Sequence, residues 1–311
     1  MIYVSAIVLA FNQEDTIKRT LDSIISQETN YPFEIIISDD DSSDNTRKVC
    51  EDFCKKYPQN TFLMDRHPNY GVVKNYSEAL KRCSGKYIMV CAGDDWWHNP
   101  CKIELQVSFM ENNPQVVLHY GGFINYYPTT GLSQFVAPYH VRGDVFETLL
   151  RRNFICAPTI CIRNEAMKKI KFDRFVDLGF MVEDYPTYLA LSNEGDFACT
   201  DEALVSYTTQ YGSINNCSSF EKKKKYLDNV RVYKTFFARE RGAGGKYIKI
   251  IENSYYYWLA EYAVRYGERK VAYNGYKQIT DKNIKIIAKT ILCSFGFTFN
   301  YLNKKFNANL K

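Results

Sequence analysis

The apolar run Lys86-Tyr87-Ile88-Met89-Val90-Cys91 reads as a buried strand, and it gives way to Gly93-Asp94-Asp95-Trp96-Trp97. Adjacent carboxylates at the end of a buried strand repel each other and resist desolvation. Whatever fold surrounds them must offer a cation, hydrogen-bond donors or a ligand that brings its own. A divalent ion on a diphosphate and the hydroxyls of a sugar are chemistries of that kind.

A second apolar run, Ile35-Ile36-Ile37-Ser38, ends in Asp39-Asp40-Asp41-Ser42-Ser43-Asp44. In open α/β sheets ligands bind beyond the carboxyl ends of the strands, so two parallel strands would aim both acidic clusters into one cleft. An Asp of the first cluster could accept the N–H of a pyrimidine base, and the second could meet ribose and a metal-bound diphosphate. Ser42, Ser43 and Asp44 serve equally well as a turn and helix cap.

The hydrophobic pattern supports such a sheet. Strands are expected over residues 3–11, 33–38, 61–64, 86–91, 116–123 and 157–163. Helices are expected over 14–26, from Asp44 to Tyr57, over 72–83 with Gly85 closing the last, from Pro100 to Asn112, and from Glu183 onward. Residues 125–142, rich in Tyr, Pro, Gly and Thr, read as a mobile substrate loop. Beyond Ser218 the β pattern stops and helical patterns with basic and aromatic residues follow. The division expected is a sheet domain over 1–217 and a helical region over 218–311.

Composition removes several function classes. The 311 residues are 46% hydrophobic, which excludes a disordered chain. Ten cysteines without a CxxC pair argue against a zinc site or a disulfide framework. His67, His98, His119 and His140 form no HxH or HxxxH pair, so a histidine-held metal and a Ser-His-Asp hydrolase are unsupported. Any metal must be held by oxygen. The first residues lack the basic start and cleavage site of a leader, so a cytoplasmic location is expected.

Charge is divided along the chain: 20 Lys/Arg against 28 Asp/Glu through residue 215, then 20 against 7 beyond it. Lys222-Lys223-Lys224-Lys225, with Lys282, Lys285 and Lys289 interleaved with isoleucines, suits either the anionic inner face of a membrane or a solvated helix face. Nucleic acid is disfavoured, since an acidic cleft repels phosphates.

Residues 4–12, Glu34-Ile35-Ile36-Ile37-Ser38-Asp39-Asp40-Asp41-Ser42-Ser43-Asp44, Asn69-Tyr70-Gly71, Gly85-Lys86-Tyr87-Ile88 and Gly93-Asp94-Asp95-Trp96-Trp97 follow one another in order and spacing. Over residues 1 to about 130 the sequence resembles the family 2 glycosyltransferases, with shorter patches at Glu183-Asp184 and 207–213. The resemblance implies a GT-A fold (a Rossmann-like, mostly parallel sheet flanked by helices), a nucleotide-sugar donor, most simply a UDP-sugar, and inversion at the anomeric carbon. It also implies a magnesium or manganese ion and a glycan or lipid-linked acceptor of surface polysaccharide synthesis.

By position, Ala10, Asn12 and Glu14 would line the nucleotide, Asp39 would read the base, and Lys74 or Asn75 would help hold it. Asp94 and Asp95 match the end of the family's DxD-type motif, with Asp95 the direct metal ligand; Ala92 stands at its first acidic position. Gln210 replaces the histidine of the later Tyr-Arg-x-His patch. Asp184 is the candidate base that takes the acceptor's proton, with Glu183 orienting the acceptor or exchanging roles with it; taken without the resemblance, Asp184 would read first as an acid at a helix N-terminus. Of Trp96 and Trp97, one is expected to face the acceptor and the other to pack.

Two other classes share part of this pattern. A sugar nucleotidyltransferase would open on a glycine-rich loop, which Ala10-Phe11-Asn12-Gln13-Glu14 is not. A non-catalytic relative that binds nucleotide-sugar would tolerate Ala92 and Gln210.

Overall fold

Seven consecutive residues buried on both faces, Val4–Ala10, make β1 an interior strand. Such all-apolar runs belong to parallel sheets covered by helices. In the computed structural model, which describes residues 1–209, 219–242 and 245–294, β1 lies between β2 (Phe33–Asp39) and β4 (Tyr87–Ala92), with β3 (Thr61–Leu63) outside β2. All four are parallel. The crossovers between them are α1 (Ile17–Ile25), α2 (Thr46–Lys56) and α3 (Val72–Arg82). The α1 side chains Ile17, Leu21 and Ile24 recur at helical spacing and are fully buried against the sheet.

Past β4 the chain forms β5 (Trp96–Trp97), α4 (Lys102–Asn112), β6 (Val116–Tyr127), β7 (Leu132–Val136), α5 (Phe146–Arg151), β8 (Cys161–Arg163), α6 (Asn164–Met167), α7 (Phe172–Asp177), α8 (Asp184–Leu191) and β9 (Asp196–Thr208). The sheet order is β3-β2-β1-β4-β8-β6-β9-β5, with β7 added on β6. The fold is α/β as expected, but the parallel pairing stops at β4. β8 runs antiparallel to both β4 and β6, β5 runs antiparallel to β9, and β6 with β9 is again parallel.

Three local expectations are corrected. Residues 125–142 are not a structureless loop: β6 continues through Tyr127, turns at Gly131 with φ 69°, and returns as β7. Residues 157–163 are a 3-10 turn at Ala157–Thr159 followed by the short β8, not one strand. Gly85 does not cap α3, whose last turn ends at Cys83 with an extended backbone. A Cβ at Gly85 would stand 2.5 Å from the Ser5 nitrogen, so this glycine lets two chains touch. There Gly85 donates its N–H to Ser5 Oγ at 2.8 Å, and Ser5 Oγ donates to Glu34 Oε1 at 2.6 Å. This knot ties the amino ends of β1, β2 and β4.

The chain divides into two compact units. The first is Met1–Phe146 with Asn153–Thr209; the second is Glu147–Arg152 with the described residues of Gln210–Lys311. The second unit contains α9 (Phe220–Glu240), α10 (Gly245–Tyr266), α11 (Arg269–Gln278) and α12 (Ile284–Ser294) around a core of Leu259, Ala260, Ala263, Ala272 and Tyr276. The lysine run is not wholly a solvated face: Lys223 is buried, its Nζ 4.4 Å from the Tyr262 ring centre. Among the described residues no helix is long and apolar enough to cross a membrane.

Gly85→Ala forces a methyl group into the Ser5 backbone. We expect a loss of about 1–3 kcal/mol, the usual cost of overpacking, read as a lower denaturation midpoint with an unchanged m-value.

Candidate active site

The carboxyl ends of β1 and β4 open into a cavity of about 420 Å³. Ala10, Asn75, Asp95 and Glu183, each singled out from the sequence, stand on its wall. Gln13, Asp40, Asn69 and Tyr207 stand there too, without having been assigned a role.

The loops around the cavity are tied by the polar residues of the first acidic cluster. Asn12 adopts a left-handed backbone, φ 51°, which a short polar side chain tolerates. Its Oδ1 accepts the Ser43 N–H at 2.8 Å, and its own N–H goes to Ser42 Oγ at 2.9 Å. Glu14 Oε2 accepts from the Asn45 backbone at 2.9 Å, while the Glu14 N–H goes to Asp44 Oδ2 at 3.1 Å. Asn12 and Glu14 thus join the two strand-end loops and lie off the cavity wall.

Asp39 is buried and accepts a hydrogen bond from Ser42 Oγ. Asp40 is the more exacting neighbour: its carboxylate takes the N–H groups of Tyr70 at 2.7 Å and Gly71 at 2.9 Å. That contact folds the Asn69-Tyr70-Gly71 turn onto the cavity and starts α3. Asn75 bonds Ser38 twice, accepting from its hydroxyl at 2.5 Å and donating to its carbonyl at 3.3 Å. Lys74 lies off the wall, with Nζ 3.8 Å from the Tyr70 ring centre.

Asp94 and Asp95 occupy a tight turn that four contacts hold. Thr20 Oγ1 donates to the Asp95 carbonyl at 2.6 Å, and Arg19 Nη2 to the Asp94 carbonyl at 3.2 Å. The last residue of β9, Thr208, donates its N–H to Asp95 Oδ1 at 2.7 Å and its hydroxyl to the Asp94 carbonyl at 2.5 Å. Burial raises the affinity of both carboxyls for a proton, most at Asp95, where the adjacent Asp94 charge adds to it. The Thr208 N–H and the Arg19 charge oppose that rise at Asp95. Arg19 carries no motif by which the sequence could have announced it; Thr208 lies in the 207–213 patch, which assigned it no role.

The tryptophans part company. Trp97 is 3% exposed in the core, with Lys102 Nζ 4.5 Å from its ring centre, so it is the packing residue and offers no face to a ligand. Trp96 is half-buried, covered by the Arg19 guanidinium at 3.7 Å and by the edge of Tyr126.

Glu183 and Asp184 meet at the start of α8. Glu183 faces the cavity; Asp184 does not line it, and its Oδ1 accepts the Tyr185 N–H at 2.6 Å. Burial, then the neighbouring Asp184 charge, push the Glu183 carboxyl up to about 8, and burial raises Asp184. Gln210 and the remainder of that later patch lie outside the described residues.

The sequence profile of Glycosyl transferase family 2 matches residues 5–170, more than half of the chain. The chain belongs to this family. A curated relative, an uncharacterized protein of Mycobacterium tuberculosis, is 27% identical over 221 residues, 71% of this chain; the match spans 62% of that relative's length. The Escherichia coli UDP-Glc:alpha-D-GlcNAc-diphosphoundecaprenol beta-1,3-glucosyltransferase WfgD is 27% identical over 227 residues, 72% of this chain and 84% of its own. Among solved structures, Staphylococcus aureus TarS 1–349 in complex with UDP-GlcNAc superposes with a TM-score of 0.59 at 17% identity, covering 99% of this chain and 92% of that one. At that identity the likeness establishes a GT-A type fold.

Among the described residues of this family 2 chain no three His, Cys, Asp or Glu side chains gather as a ready-made metal cluster. Asp94 and Asp95 nonetheless suit magnesium or manganese: these hard ions commonly take one or two carboxylates and complete their shell with water and substrate phosphates. Ala92, at the end of β4, contributes no ligand.

The raised Glu183 acid has a stability consequence whose sign follows from linkage. The folded protein keeps a proton that the unfolded chain releases near the ordinary value of 4.5, so stability falls as pH climbs from there to about 8 and levels off above it. Glu183→Gln removes that fall. We expect the variant to gain on the wild type in melting temperature by a few degrees at pH 8 relative to pH 5, measured by thermal scans across that range.

Proposed function

We propose that this glycosyltransferase moves a sugar from a UDP-sugar, with inversion, to a hydroxyl of a lipid-linked glycan in surface polysaccharide assembly, at the cytoplasmic face of a membrane. The observation that carries the reading is one cavity bearing Asp95 from the β4 turn and Glu183 from the start of α8. Transfer needs such a pair: one acidic group to organise the departing diphosphate and one to accept the acceptor's proton. The UDP-GlcNAc bound to TarS and the diphosphoundecaprenol acceptor in WfgD's name support the classes of donor and acceptor.

Residue roles follow from placement. Ala10 and Asn75 form part of the donor wall, and Lys74 lends positive charge beside Tyr70; Asp39, buried at the end of β2 and off the wall, keeps the uracil-reading role that the family resemblance gives it. Asn12 and Glu14 act by holding the two loops in register. Glu183, which faces the cavity, takes the proton in place of Asp184, the exchange of roles that the sequence left open. The acceptor O–H breaks, its oxygen bonds to the anomeric carbon, and the electron pair of the breaking C–O bond leaves with the nucleoside diphosphate. A carboxylate on the same face steadies the positive charge that develops on the sugar. A magnesium or manganese ion held by Asp95 and Asp94, when bound, would neutralise charge on the departing diphosphate. Trp96, stacked under Arg19, offers its remaining surface to the acceptor.

On α12, Ile284, Ile287 and Ile291 are exposed on one face, with Lys282 and Lys285 beside them. An apolar face with a basic rim supports peripheral contact with anionic lipid. Sedimentation with phosphatidylglycerol vesicles, lost at high salt, is the expected result; no sedimentation at low salt would remove this part of the reading.

The decisive experiment offers UDP-, GDP-, dTDP- and CMP-sugars with manganese, magnesium or EDTA to the wild type and to Asp95→Asn. Turnover of a UDP-sugar is expected, with kcat falling by roughly 10²–10³ in Asp95→Asn, as when one transition-state electrostatic contact is lost. The rate should climb with pH toward about 8 as Glu183 gives up its proton. Donor binding without turnover at any pH would leave a binding protein.

A further inference from the structure

Behind Glu183, away from the donor cavity, lies a second and much smaller space. It measures about 10 Å³, and its wall includes Tyr76, Asp184, Thr187 and Tyr188. Glu183, Val90 and Ala157 border both spaces, so Glu183 stands in the partition between them. A volume of that order admits about one water molecule, provided that two or more polar groups face it.

Those polar groups are present. Tyr188 is 0% exposed, and its hydroxyl has no hydrogen-bond partner. A buried hydroxyl is rarely left unpaired, and ordered water is a common partner. Thr187 is already engaged, its Oγ1 donating to the Glu183 carbonyl at 2.6 Å. That leaves the Tyr188 hydroxyl and the Glu183 and Asp184 carboxyls as the groups a water would join, with Tyr76 beside them.

We propose that one water fills this space and that Tyr188 is a positioning residue, its hydroxyl holding Glu183 and Asp184 through that water in one hydrogen-bonded set. The inference rests on the reading of Glu183 as the proton acceptor. In the transfer step the acceptor's proton passes to the Glu183 carboxylate while the sugar oxygen bond forms and the diphosphate leaves with its electron pair. The proton stays on Glu183, the more basic of the two acids, while the water and the Tyr188 hydroxyl turn to accommodate it, so the set gains one proton. The grouping explains why two acids are set side by side where a single base would face the cavity alone.

Among the described residues, the titratable groups that act electrostatically on the pair are Tyr76 from α3, Cys156 from the segment before β8, and Tyr188 from α8 itself; Asp95 in turn acts on Cys156. None of them is a cation. A donor lost from the set therefore falls directly on the acids.

Tyr188→Phe removes the hydroxyl and keeps the ring. A hydrogen bond donated to a carboxylate favours its charged form, so its loss should move the acid limb of kcat/KM upward by about one pH unit while the donor KM holds. A ring that serves packing alone would leave the limb in place. A second measurement needs no turnover: thermal midpoints of the substrate-free protein across pH, where the decline should extend to higher pH in Tyr188→Phe. If no donor is ever turned over, the base assignment fails, and this second curve still tests the water-held pair. Superimposable curves for wild type and variant, or a high-resolution crystal structure with this space dry, would overturn the proposal.

Discussion

Two like charges kept adjacent at the edge of a buried sheet are the constraint on which the cleft depends. The turn that carries Asp94 and Asp95 would relax or protonate without outside support. Its support comes from far along the chain: Thr20 and Arg19 on α1, and Thr208 at the end of β9. The side chains of α1 thus do two tasks, packing the sheet with Ile17, Leu21 and Ile24 and bracing the acidic turn with the intervening polar positions. The position of β9, between β6 and β5, is what brings the Thr208 N–H to Asp95. The mixed half of the sheet is in this sense an accessory to the parallel half.

Most of the parallel half was legible in the sequence, because β1, β2 and β4 are mostly apolar runs, two of them giving way to acidic clusters, and its helices repeat at 3.6 residues. The irregular elements were not. β9 is interrupted by Thr200-Asp201-Glu202, where the pairing with β6 shifts at Gly121 and Gly122, and that break hides its alternation. β7 exposes Leu132 and Phe135, so its side chains show no inward and outward pattern. Gly85 was misread because a glycine after a helix commonly caps it, whereas the demand here comes from Ser5, distant in sequence.

The site divides along the same line. Asp95 could be named because paired carboxylates at the end of a buried strand have few other uses, and Glu183 because it stands in a patch of the family resemblance; the structure sets both on one wall. Asn12 and Glu14, expected to line the nucleotide, join the two strand-end loops off the cavity wall. Asp40 received no role from the sequence, since nothing in a run of three aspartates says which one takes the backbone of a distant turn. Arg19, lying on a helix whose pattern already made sense as packing, gave no reason to look twice.

The stacking of Arg19 on Trp96 gives the protein an optical handle of its own. Of the three tryptophans, Trp97 is sealed in the core and Trp258 belongs to the second unit. Trp96 leads directly off the acidic turn, and its indole is covered by a cation whose hydrogen bond runs to the Asp94 carbonyl. Any rearrangement of that turn shifts the guanidinium across the ring and changes the charge its excited state experiences. The emission of this one side chain therefore reports the state of the carboxylate pair from within, without a label and without a coupled assay.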